Sequence, residues 1–226
     1  MTERYLEKKE TYIMKKRTKT VYALAAAFFL TGCANDGIAD ALKSTEAIEP
    51  EENTLLSELN KVTKQEKALQ ETFEKTLDES DSLTQFSDGT APVFENVKNR
   101  KTAISAIKKA TGEMKETQKS LAENDGDKVP KEEIEGLSEE IKKLTTSLDD
   151  YSKQYEKNLK EEETYYQSLA DEEATYKTLT DGITKLNEED TKTKELLNQL
   201  NEQFKTLKKQ RTEAEEKLNS LSESSK

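Results

Sequence analysis

The chain has no histidine and no tryptophan, and only one cysteine, three prolines and seven glycines among its 226 residues. Each shortage excludes something. Without histidine it lacks the usual proton shuttle near neutral pH and the commonest transition-metal ligand. One cysteine closes no internal disulfide and builds no multi-thiolate zinc or iron–sulfur site. Serine and threonine are numerous, but without histidine or a glycine-rich nucleophile elbow they assemble no hydrolase triad. No catalytic residue, cofactor, metal or small-molecule substrate is therefore assigned. A two-lobed α/β solute-binding protein needs strands and many glycine turns, and the sequence supplies neither.

What is present is charge. Asp and Glu number 47 against 36 Lys and Arg, a formal net charge of −11, and charged residues make up 37% of the chain. So acidic a chain is a poor match for phosphate backbones, which excludes nucleic acid as a partner. The hydrophobic fraction is 32%. A chain this polar is either disordered or folded into long helices that bury only a narrow stripe. Scarce Gly and Pro, with Glu, Lys, Leu and Thr at helical spacing, favour the helices.

One apolar run stands apart, "ALAAAFFLTGC" (Ala23 to Cys33). Lys15, Lys16, Arg17 and Lys19 precede it, and its apolar stretch, Val21 to Leu30, is ten residues long. That is too short to span a bilayer, which takes about 20 residues. A basic head, a short apolar middle and small residues before a cut define a secretory signal peptide, over residues 14–32. Residues 1–13 ("MTERYLEKKETYI") add nothing such a signal needs, and the expected translation start is Met14.

The end of this segment, Leu30-Thr31-Gly32-Cys33, resembles the lipobox of bacterial lipoproteins. The resemblance implies that diacylglycerol alkylates the Cys33 thiol and that a peptidase then cuts between Gly32 and Cys33. Small Thr31 and Gly32 let the peptide lie extended against the membrane enzymes, and Leu30 fills an apolar pocket. A buried core thiol is the competing reading, but the three signal regions align too well for it. Two fatty chains, at about 0.8 kcal/mol per buried CH₂, anchor a protein stably where one does not. Losing residues 1–32, with their net charge of +4, takes the formal charge from −11 to −15. Such a surface is repelled by anionic headgroups, which holds the domain off the membrane. Residues 33–50, with Gly37 and Pro50, read as a flexible tether.

From Glu51 onward, apolar residues recur at spacings of three and four in four segments. The first runs from Leu55 to Phe86, the second from Val93 to Leu121, the third from Ile134 to Leu179 and the fourth from Leu197 to Leu221. These stripes belong to helices packed side by side at shallow crossing angles. "SDGTAP" (Ser87 to Pro92) and "NDGDKVP" (Asn124 to Pro130) carry turn chemistry, with Pro92 suited to a first helical turn. A third break is expected at Asp181-Gly182, with Asn187 capping a new helix. Residues 131–187 form either one long helix or a bent pair, because the register wavers near 158–163. The expected fold is all-α: an elongated antiparallel up-and-down bundle of three or four long helices with coiled-coil-like packing over residues 51–226.

Five of the eight tyrosines fall between Tyr151 and Tyr176. Tyr151, Tyr155, Tyr165 and Tyr176 follow the stripe and read as core or half-buried packing. Tyr166 falls off it and is the candidate exposed contact. The acidic runs "KEEETYY" and "LADEEATY" read as a solvated helix face rather than a metal or acid–base site. "NDGD" (Asn124 to Asp127) lacks the ligand spacing of a calcium loop and reads as a turn. Arg211 sits where the fourth stripe wants Leu, so it is expected to snorkel or to pair with a Glu on a neighbouring helix.

The lipobox followed by a wholly helical, acidic ectodomain resembles the cell-wall-binding lipoprotein family of low-GC Gram-positive bacteria. The resemblance implies a non-enzymatic surface lipoprotein on the outer face of the cytoplasmic membrane, anchored by diacylglycerol on Cys33 and facing the cell wall. Its expected partners are the membrane and peptidoglycan or another envelope protein. The alternative role is a coiled-coil adaptor or regulator of an envelope protein such as a wall hydrolase, which calls for an exposed apolar groove on the bundle.

Overall fold

The computed structural model describes residues 36–78 and 82–224. Five helices occupy them: α1 (Ile38–Leu77), α2 (Ser82–Asp88), α3 (Pro92–Ala122), α4 (Lys131–Ser168) and α5 (Tyr176–Ser224), with no strand among the described residues. The four long helices close a ring in which α1 packs on α3, α3 on α4, α4 on α5 and α5 on α1. The all-α antiparallel bundle expected from the periodicity is the observed fold, with four long helices.

The stripe of α1 shows how packing overrides a local breaker. Its buried positions are Ile38, Ala41, Thr45, Ile48, Glu52, Leu55, Leu59 and Val62, an unbroken alternation of three and four. Residues 38–50, expected as tether, are the first turns of this helix, and Pro50 lies inside it. A proline within a helix costs about 3 kcal/mol, which burial of Ile38, Ala41 and Ile48 offsets. The stripe is hard to see from sequence because Ala41, Thr45 and Glu52 occupy three of its positions. Thr45 satisfies its hydroxyl on the Ala41 carbonyl at 2.8 Å.

The start of α1 is pinned to the turn between α3 and α4. Gly37 has φ of 75°, and a Cβ there would stand 2.4 Å from Asn124 Oδ1. The Asn124 amide donates to the Gly37 carbonyl at 2.9 Å, and the Lys128 N–H donates to the Asp36 carbonyl at 3.3 Å. Gly126 is equally constrained, since a Cβ there would lie 2.4 Å from the Asp36 oxygen. The "NDGD" segment is thus a turn, and it acts as a clasp.

An ion-pair ladder records the α3/α4 register. Lys101 meets Glu163 at 2.7 Å, Lys108 meets Glu156 at 2.7 Å, and Lys115 meets Asp149 at 2.5 Å. Each rung steps seven residues forward on α3 and seven back on α4, the heptad repeat of antiparallel coiled-coil packing. All three are roughly half exposed. Each contributes about 0–1 kcal/mol and serves orientation more than stability.

Two expected boundaries move. The first segment breaks after Leu77, and Leu83 and Phe86 belong to the short α2. The break expected at Asp181-Gly182 is absent, because α5 runs unbroken from Tyr176 to Ser224 and Asn187 lies inside it. The real break covers residues 169–175. There the Thr178 N–H donates to the Thr175 hydroxyl at 3.2 Å, and the Thr175 N–H donates to the Thr178 hydroxyl at 3.1 Å. This reciprocal arrangement follows the logic of a capping box and starts α5.

Candidate functional site

The buried charged residues are Arg100 on α3 and Glu140 and Glu162 on α4; Glu140 pairs with Lys143 of its own helix, whereas Arg100 and Glu162 meet inside the bundle. Arg100 Nη1 donates to Glu162 Oε2 at 2.9 Å and Nη2 to Oε1 at 2.5 Å. Both side chains are under a tenth exposed. Burial pulls the Arg100 pKa down, the Glu162 charge more than reverses this, and the guanidinium stays protonated. Its Nε donates to Asn96 Oδ1 at 2.7 Å, and the Asn96 amide donates to the Gln65 carbonyl of α1 at 2.8 Å.

Two tyrosines complete this network. Tyr166 donates its hydroxyl to Glu162 Oε1 at 2.7 Å, and Tyr155 donates to Glu66 Oε1 at 2.7 Å. Burial raises both phenol pKa values, so both hydroxyls remain donors. Tyr166 is 2% exposed, which corrects its reading as an exposed contact. The reason lies in register. Leu159, Glu162, Tyr166 and Leu169 continue the three-four alternation of α4, with Glu162 as a core position. A reading that expects only apolar core residues skips Glu162 and shifts the stripe to Tyr165. Tyr176 is also corrected: it is 81% exposed, at the first residue of α5. Tyr151 and Tyr155 are buried and Tyr165 is half-buried, as expected.

Above this polar layer the upper halves of α1 and α5 stand apart, leaving a cleft of about 840 Å³ floored by α4. Leu69, Phe73 and Leu77 of α1 face it from one side, and Leu179, Ile183 and Leu186 of α5 from the other. Tyr165 and Tyr166 contribute rings to the floor, Tyr166 with Phe73 at 5.7 Å and Phe86 at 6.4 Å between centroids. Tyr165 reaches so close to α5 that only glycine fits opposite it, since a Cβ on Gly182 would lie 1.9 Å from the ring. Its hydroxyl donates to the Leu179 carbonyl at 3.1 Å, and burial pushes its pKa up to about 12.

The charges lining the cleft are unequal: Glu66, Glu74, Glu162, Glu189 and Asp190 against Lys67, Arg100 and Lys194. Glu162 is held by Arg100, Asp190 by Lys194 and Glu189 by Lys192. Glu66 makes no ion pair among the described residues; burial raises its pKa, and the Tyr155 hydrogen bond opposes that rise.

A second buried arginine lies toward the other end of the bundle. Arg211 of α5 reaches Glu52 of α1 at 3.2 Å, Glu49 at 3.4 Å and Glu215 at 2.9 Å. It pairs across helices, one of the two behaviours expected of it. Of the carboxylates in the acidic runs only Glu162 is a core residue; the others lie on exposed or partly exposed faces and in the 169–175 turn. No group of three or more possible metal ligands occurs among the described residues, and none of their helices is long and apolar enough to cross a membrane. Leu30, Thr31, Gly32 and Cys33 lie outside the described residues.

No curated protein and no solved structure matches the chain. A family model, YkyA, described as "Putative cell-wall binding lipoprotein", matches residues 37–217, nearly the whole bundle. The chain belongs to this YkyA family of lipoproteins.

Proposed function

We propose that the protein is a lipid-anchored, non-enzymatic lipoprotein on the outer face of the cytoplasmic membrane, whose bundle carries a binding cleft toward the cell wall. The family description supports a cell-wall-binding lipoprotein. The finer reading rests on one arrangement, the order of anchor, clasp and cleft along the chain. Cys33, the lipid-bearing residue in this reading, precedes Asp36 by three residues, a reach of about 10 Å. The clasp at Gly37 and Asn124 then starts a rigid helix. The cleft begins at Thr63, about 40 Å farther along α1 at 1.5 Å per residue. In this reading the lipid enters at the start of α1, the end of that helix remote from the cleft.

The test uses the full-length lipidated protein in detergent, sedimented with purified wall sacculi. Co-sedimentation with the sacculi supports the reading. Protein left wholly in the supernatant sinks it. The adaptor role is the second reading, favoured by one observation: the exposed apolar groove it calls for lies between α1 and α5.

A further inference from the structure

We infer that the α1/α5 cleft is a docking groove for an amphipathic α-helix of another envelope protein, with a lysine or arginine of that helix paired to Glu66. This deepens the adaptor reading above and rests on it. The two walls carry the first argument. Leu69, Phe73 and Leu77 are spaced four and four on α1, and Leu179, Ile183 and Leu186 four and three on α5. These are the stripes by which helices of this bundle pack on neighbours elsewhere; here Leu69, Phe73 and Leu179 are only partly covered by the core, and Leu77 and Ile183 are exposed. From Thr63 to Leu77 and from Leu179 to Lys194 each wall runs about 20 Å. A helix of about 14 residues presenting an i, i+4, i+7 face matches that length and periodicity.

Charge carries the second argument. After internal pairing, Glu66 and Glu74 face the cleft against Lys67, and Glu66 of the α1 wall touches the polar floor by accepting the Tyr155 hydroxyl. A cation brought onto it removes the cost of a half-buried unpaired charge, so a basic residue in the occupant is favoured over a neutral or acidic one.

The alternatives fit less well. A glycan needs many free hydrogen-bonding groups, yet the hydroxyls of Tyr155, Tyr165 and Tyr166 are all committed inside the protein. A second copy of this chain brings no suitable face. Among the described residues the large apolar side chains left exposed are Leu77, Leu83, Tyr176 and Ile183, all at this same end, and the chain is acidic.

The experiment places a benzophenone photocrosslinker at position 183 of the full-length protein in intact cells, with position 109 as the control. Lys109 is an exposed residue of α3, a helix that contributes only Arg100 to the cleft. Crosslinked peptides are then sequenced by mass spectrometry. The expected product joins position 183 to a protein segment with apolar residues at i, i+4 and i+7 and a flanking Lys or Arg. Glu66→Lys lowers its yield at least fivefold, while Glu66→Gln, which keeps the acceptor for Tyr155, lowers it less. Circular dichroism of both variants verifies that the bundle is intact. Adducts carrying sugar, adducts to a second copy, or no enrichment over position 109 overturn the inference. Wall sedimentation of the same proteins is read separately, so retention on sacculi without a helical adduct removes the groove partner and leaves wall binding standing.

Discussion

Arg100 and Glu162, 62 residues apart in sequence, form a two-pronged ion pair across α3 and α4 with N–O distances of 2.5 and 2.9 Å and almost no solvent access. Removing one member leaves the other charged, buried and unpaired, which costs about 3–5 kcal/mol. Glu162→Gln or Arg100→Met should therefore lower the urea midpoint strongly. The double variant Arg100→Met with Glu162→Leu should recover most of the loss, because an apolar pair of similar volume replaces the charges. A midpoint unmoved by either single change contradicts this account.

The pair also explains which parts of the fold were visible in advance. The stripes of α3 and the lower half of α4 are mainly Val, Ile, Leu, Met and Ala, and their periodicity reads directly. The upper half of α4 has Glu162 in a core position, and the apparent register slips at that residue. That a carboxylate belongs in the core is legible only once its guanidinium is known to lie opposite.

At the far end, one guanidinium serves three carboxylates, so neutralisation is incomplete. Burial pushes the Glu52 carboxyl up to about 7, opposed by Arg211 and Lys208 and reinforced by Glu49, with Glu215 sharing the Arg211 charge. Since the folded pKa exceeds the unfolded value near 4.5, the folded state binds the proton more tightly. This contribution to stability is full below about pH 4.5 and is lost as the pH rises through 7. Thermal unfolding at pH 5 and pH 8 checks it: the drop in Tm between them should be smaller in Glu52→Gln than in the unmodified protein.

Two helical glycines should respond oppositely to alanine. Gly136 has open space where a Cβ would go, so Gly136→Ala should stabilise by about 1 kcal/mol through helix propensity. At Gly182 the same change drives a methyl to 1.9 Å from the Tyr165 ring. Displacing that ring should cost about 1–3 kcal/mol, more than the propensity returns. Parallel urea titrations settle the signs, and stabilisation by Gly182→Ala contradicts the close approach of α4 to α5.

Lipid attachment has its own test. Metabolic labelling with palmitate should mark the protein, and Cys33→Ala should abolish the label and leave residues 14–32 uncleaved. Label persisting in the variant means that the Leu30-Thr31-Gly32-Cys33 reading is wrong.

The sequence by itself determined the all-α class, the antiparallel stripes, the two turns at Ser87–Pro92 and Asn124–Pro130, and the expectation of an anchor at Cys33. Those follow from local patterns, 3.6-residue periodicity and turn chemistry, which need no distant partner. Tertiary structure alone decided that Pro50 sits within a helix, that Glu52, Arg100, Glu162 and Arg211 are core residues, that Tyr166 is buried, and that α1 and α5 leave a cleft between them. The physical reason is common to all of these. Burying a charge or tolerating a proline depends on groups brought close by the fold, and Glu52 meets Arg211 across 159 residues of chain.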